Sequence, residues 1–263
     1  MTRFTYLVAV LAALSSVAAA QKAEIENKVP TPAELSAITT RGRMLAEYDV
    51  AAWHASDVVH DMKPEQGSTR YYIAKKEGNE WNVVFGRLSE TRDKFLIVYR
   101  AKQGTKPEFF TAKRLDPPEE NTDFYLSAAR TFDAALKDFH GRNRPYNAYA
   151  IPSESDQLYV YLLPAQTQND IYPLGGDVRY TFSADGNSIL EKRQMHKSIL
   201  EFEINKGTVA GTHTHVLSLC PEDSDVFYVL TRKPSIPEFV GTLDKKMYVV
   251  ATDGTISVSS TEK

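Results

Sequence analysis

The sequence predicts an α+β fold, mainly antiparallel sheet, with a long N-terminal helix and a second helix near 122–139. Three patterns carry that expectation. A capping box, Thr31-Pro32-Ala33-Glu34, heads a run of apolar residues at helical spacing. Short apolar runs separated by tight turn signals follow it, and consecutive strands with short connections argue for an antiparallel meander. A second stretch of helical periodicity then separates two such groups of strands.

Element by element, Leu35, Ile38, Leu45, Tyr48, Ala52, Ala55, Val59 and Met62 recur near helical spacing down to Pro64, with a possible break at Gly42. Strands are expected at Arg70–Lys75, Trp81–Leu88, Phe95–Ala101 and Glu108–Lys113, punctuated by Glu77-Gly78-Asn79 and Gln103-Gly104. Asp116–Asn121 reads as a loop. Phe124, Leu126, Ala129, Phe132, Leu136 and Phe139 give the second helix, which Gly141–Pro145 ends. That stretch is the best internal boundary, dividing an N-terminal α+β region of unknown role (21–142) from a C-terminal β-rich region (143–263). In the latter, strands are expected at Asn147–Ile151, Leu158–Leu163, Val178–Phe182, Ile189–Phe202, Val209–Leu217 and Met247–Ala251. Ser183–Asn187 and Asn205-Lys206-Gly207 read as hairpin turns.

Residues 1–20 read as a signal peptide: one charge at Arg3, an apolar run Phe4–Leu14, then Ala18-Ala19-Ala20 before Gln21. The apolar core is shorter than the roughly 20 residues a bilayer demands. Cleavage near Ala20 would leave a secreted or periplasmic protein with no transmembrane segment in the mature chain. The 263 residues carry 31 basic and 34 acidic side chains, a formal charge of -3, which leaves no electrostatic footprint for nucleic acid. Substrate and protein partner are unspecified. The single cysteine, Cys220, excludes an intramolecular disulfide, so stability must come from core burial.

One cluster could carry chemistry. In Ala210-Gly-Thr-His-Thr-His215 the two histidines lie two apart on an expected strand, and strand alternation sends both imidazoles to one face. Pro221-Glu-Asp-Ser-Asp225 follows, from which a carboxylate returning on a loop completes a three-ligand zinc site with an open position for water. Zn2+ bound in this way lowers the pKa of its water toward about 7. His196 is a further candidate. A hairpin of Ile189–Phe202 with Val209–Leu217 would place it on the face of His215, and a three-residue turn would place it on the other, so its register is open. The competing account makes the histidines hydrogen-bonded sheet residues and Glu222, Asp223 and Asp225 a solvated acidic loop.

His213-Thr-His215, the loop, Pro221 and Asp225, followed by Val226–Leu230, resemble the metal-binding segment of the JAMM zinc metalloproteases and deubiquitinase-like isopeptidases. Tyr248–Ile256 resembles the strand and turn that close that domain, and the likeness covers about 146–258. It implies His213, His215 and Asp225 as zinc ligands, hydrolysis of amide or peptide bonds, and an upstream glutamate as general base. Glu154 is in the appropriate place for that base, with Asp156 and Asp170 as alternatives. Three departures stand out: Val216 replaces the family's proline, Glu222 replaces the serine that holds the oxyanion, and the loop is one residue shorter. The lost serine weakens catalysis more than binding, so the alternative is a non-catalytic envelope binding or interaction protein retaining a JAMM-like fold. Other groups carry less. His54 and His60 diverge on the first helix, Ser153-Glu-Ser155 lacks the glycine-flanked turn of a serine nucleophile, and Leu174–Asp177 is a turn without a following helix.

Overall fold

The computed structural model describes residues 28–141, 143–153, 155–203, 205 and 207–259. The expected signal peptide (1–20) and the candidate base Glu154 lie outside the described residues. The architecture is α+β. Helix α1 (Pro32–Asp61) starts where the capping box put it: Thr31 Oγ1 accepts from Glu34 N at 3.3 Å, and Glu34 Oε2 accepts from Thr31 N at 2.6 Å. It runs unbroken through Gly42, where the sequence left a break open. Strands β1 (Tyr71–Glu77), β2 (Glu80–Leu88), β3 (Phe95–Gln103) and β4 (Phe110–Asn121) form an antiparallel meander. β4 reaches through the stretch expected to be a loop. The register against β3 jumps from Arg114 to Glu119, so Pro117 and Pro118, which lack N–H donors, fall in a bulge on an edge strand where no ladder bond is required.

Helix α2 (Phe124–Asp138) leads to a second antiparallel sheet of order β5-β6-β8-β9, formed by Tyr146–Pro152, Leu158–Pro164, Val178–Phe182 and Ile189–Gln194. The two sheets share their covering helices. Alternation divides each strand between two cores. Val83, Phe85, Tyr149 and Tyr161 meet Leu45, Tyr48 and Ala52 of α1, whereas Ile73, Val84, Val160 and Leu162 meet Leu126, Ala129 and Phe132 of α2. Strands buried on both faces read as continuous apolar runs, as Val83–Phe85 and Leu158–Leu163 do.

The C-terminal part departs from expectation. Ile189–Phe202 is two strands: β9 pairs with β8, while β10 (Leu200–Glu203) pairs with β7 (Ile171–Leu174) in a separate two-stranded sheet. The expected hairpin about Lys206-Gly207 does not form. β11 (Gly211–Thr214) pairs in parallel with β12 (Glu238–Gly241), and β13 (Met247–Val250) and β14 (Ile256–Val258) complete that sheet antiparallel. Between β11 and β12 lies α3 (Asp223–Thr231), the crossover that a parallel pair requires. A third apolar cluster, with Val226, Val229, Val240 and Val250 at its centre, joins α3 to this sheet and to Ile38 of α1. Among the described residues, no helix is long and apolar enough to cross a membrane.

Candidate metal centre

Three elements deliver four side chains to one point. β11 places His213 and, one residue past its end, His215; alternation puts both rings on one side. His215 N still donates to Gly241 O at 2.8 Å, so the backbone is held beyond the last strand residue. Asp225 comes not from a loop but from the first turn of α3. There its Oδ2 accepts the N–H of Glu222 at 2.7 Å, the returning arm of a capping box. Its other oxygen, Oδ1, faces the histidines, where the helix N-terminus favours a negative charge.

The fourth member is His196, just beyond β9. Asp177 draws it in, accepting from His196 N at 3.0 Å and contacting its Nδ1 at 2.9 Å. Asp177 is itself placed by Gly175 and Gly176, both at positive φ. A Cβ on Gly175 would lie 2.3 Å from Ser198 O and 2.9 Å from His196 Cβ. The turn that carries no phosphate chemistry therefore positions the segment bearing a candidate ligand.

The ligand atoms form a compact cluster, all within 4.8 Å of one another. His196 Nε2 lies 2.8 Å from His215 Nε2, which lies 3.0 Å from His213 Nε2. Asp225 Oδ1 is 3.1 Å from His196 Nε2 and 3.2 Å from His213 Nε2, and Asp225 Oδ2 is 3.2 Å from His215 Nε2. Tetrahedral ligands about 2.0 Å from an ion stand about 3.3 Å from one another. All four residues are buried, and together they can hold a metal ion.

Proton accounting points the same way. His196 Nδ1 faces the Asp177 carboxylate, His213 Nδ1 faces Glu238 Oε1 at 2.9 Å, and His215 Nδ1 faces the Cys220 carbonyl at 2.7 Å. A carboxylate or carbonyl can only accept, so each Nδ1 carries the proton. With each ring neutral, as a bound cation requires, three Nε2 lone pairs and a carboxylate oxygen converge with no donor among them. Asp225 Oδ1 is buried and accepts no hydrogen bond. Protonating every ring instead would aim two N–H groups at each other across the 2.8 Å separation. A cation satisfies all four atoms at once.

The surroundings hold this set rigidly. Glu238 is clamped on its other oxygen by the fully buried Arg232, at 2.7 Å. Burial works against a charged His213, but Asp225 outweighs it and lifts the pKa to about 9. Burial likewise opposes the charge on His196, and Asp177 with Asp225 holds its pKa well above the usual histidine value. Burial would raise the pKa of Asp225, yet the three rings hold it well below the ordinary carboxylate range. The site is thus a field that favours positive charge. Glu222 and Asp223 are buried too, which is at odds with the solvated acidic loop of the competing account. Glu222 pairs with Arg193 at 2.7 Å, and Asp223 with Arg41 at 2.8 Å, Arg179 at 3.0 Å and the Tyr161 hydroxyl at 2.8 Å. Cys220 contributes its carbonyl rather than its sulfur, and burial pushes its thiol up to about 12.

Of the residues singled out from sequence, His213, His215 and Asp225 meet, and His196 joins them by a route other than the expected hairpin. A cavity of about 370 Å³ lies against the three rings, walled also by Leu174, Met195 and Val216. No protein-family model matches the chain, and no curated protein or solved structure matches it either.

Proposed function

We propose that this is an exported zinc-binding protein in which Zn2+, held by His196, His213, His215 and Asp225, fastens the C-terminal β-rich part, and that its role is non-catalytic binding. The observation that carries this reading is the convergence of three Nε2 atoms and one carboxylate oxygen whose outer partners fix every Nδ1 proton. Three imidazoles and one carboxylate in four-fold array suit zinc. Magnesium and calcium call for more oxygen ligands, and copper(I) for sulfur. Four protein ligands make a closed site, the arrangement of structural zinc, whereas hydrolytic zinc keeps a position for water.

A second reading keeps the JAMM-like hydrolase, with His213, His215 and Asp225 on zinc, Glu154 as base and an amide or peptide bond as substrate. It draws on the cavity beside the rings, through which a substrate would approach. One variant separates the two. Tag-free protein should carry one zinc by elemental analysis, and chelator should lower its melting temperature. Under the binding reading, His196→Ala loses both the zinc and the chelator-sensitive part of the transition. Zinc retained in His196→Ala, with peptide hydrolysis lost on Glu154→Gln, would move the assignment to the hydrolase. Wild type with no metal and identical melting in chelator would end both.

A further inference from the structure

Toward the other end of α3 from the candidate metal centre, five aromatic side chains line a second cavity of about 300 Å³: Trp53 of α1, Tyr149 of β5, Tyr172 of β7, and Phe227 and Tyr228 of α3. Its polar lining comes chiefly from Asp49, Asn147 and Gln166. We propose that this cavity is a carbohydrate-binding site that takes a neutral disaccharide.

Asp49 is the anchor of the argument. It is half-buried, between Leu45 and Ala52 on the side of α1 that lines the cavity, where partial loss of water raises the cost of its charge. Its Oδ1 accepts from the Tyr149 hydroxyl at 2.7 Å. Among the described residues no cation pairs with it and no donor reaches its Oδ2, which leaves that oxygen for whatever enters the cavity. Burial raises its pKa, as expected of a carboxylate short of partners. Asn147 and Tyr149 are two apart on β5 and so share a face. Trp53, one helical turn beyond Asp49, is 55% exposed at the rim of the cavity, with His54 stacked against its ring at 4.8 Å between ring centres.

The lining matches the two-sided chemistry of a sugar. Pyranose rings present C–H surfaces that pack on aromatic faces, and hydroxyls that donate and accept together. A carboxylate and two amides supply planar acceptors and donors for such hydroxyls. The volume is at the lower end of small-molecule pockets, suited to one or two sugar rings. Charge argues for a neutral ligand. The Lys233 ammonium already lies 5.4 Å from the Trp53 ring centre and lines the same cavity as Asp49, so the site carries one charge of each sign. A quaternary ammonium, the other ligand of aromatic cages, would meet that lysine and leave both amides idle.

The test is titration of the metal-replete protein with maltose, cellobiose and N,N′-diacetylchitobiose, and separately with choline, followed by tryptophan emission. Trp81, the other of the two tryptophans, is buried outside this cavity, so Trp53 is the reporter. At least one disaccharide should shift the emission saturably. By calorimetry, Trp53→Ala and Asp49→Asn should each weaken that binding by at least roughly tenfold. Melting temperature and metal content should stay at wild-type values, which sets this outcome apart from failure of the zinc reading. The proposal is overturned if no disaccharide binds, if choline alone saturates, or if both variants bind as wild type does.

Discussion

Glu238 shows how much of a metal centre lies behind its ligands. It contacts no ligand position directly, yet one oxygen fixes the His213 tautomer while the other holds Arg232, and all three groups are buried. Outer partners of this kind commonly govern affinity by 10- to 100-fold. Glu238→Gln should weaken zinc binding by roughly that factor, measured by competition with a chromophoric chelator, with one zinc still bound at saturation. No change in affinity would show that the His213 ring is oriented without it. His213, His215 and Asp225 were legible in the sequence because residue type and a two-residue spacing are local properties. His196 was legible only as a further candidate with its register open. Its place depends on Asp177 and on the Gly175-Gly176 turn, which lie between β7 and β8 and not on the strand expected to pair with β11. Glu238, following Pro237 in an unremarkable run, offered no local signal.

At the scale of elements, α1 and α3 are fitted to one another at Gly42. A Cβ there would lie 2.4 Å from Val226 Cβ and 2.7 Å from the Asp223 carbonyl, so the glycine is required by the approach of α3 and not by a bend. Gly42→Ala raises intrinsic helix propensity by about 1 kcal/mol, but overpacking typically costs about 1–3 kcal/mol. The net result should be a lower denaturant midpoint. Because Asp223 and Asp225 sit in the first turn of α3, the variant should also bind metal more weakly. An unchanged or raised midpoint would mean that the two helices slide apart freely. Here the sequence was read in part. The capping box of α1 and the apolar spacing of α1 and α2 announce them, whereas α3 opens with Glu222-Asp-Ser-Asp225, residues that equally open loops, and lasts little more than two turns. The parallel pairing of β11 with β12 was hidden for the same reason, since it depends on recognising α3 as a crossover.

Across the whole molecule, the ligands differ from the core in how they tie the chain together. The two large apolar clusters draw on both sides of Gly141–Pro145, the boundary expected from sequence, and α1 reaches α3 through the Arg41–Asp223 pair. The stretch from His196 to Cys220 has little such support: among its described residues, Cys220 packs against an apolar cluster and the others do not. Its two strands, β10 and β11, each make a single four-residue pairing, and a two-stranded sheet alone is marginal in water. Of the side chains in that stretch that reach inward, the histidines are those a metal would bind, together with Asp225. With zinc removed, trypsin should cut after Lys197, which is exposed and directly follows a candidate ligand, at least about tenfold faster than in the metal-replete protein, a factor set by the opening free energy lost. Timed digestion with mass analysis of the fragments measures this, and equal rates would show the segment to be held by its strands alone. For a protein exported as proposed, the outcome bears on survival more than on shape. Its half-life among extracellular proteases would follow the zinc supply around it, so that scarcity of the ion would clear the protein by turnover without any change in its synthesis.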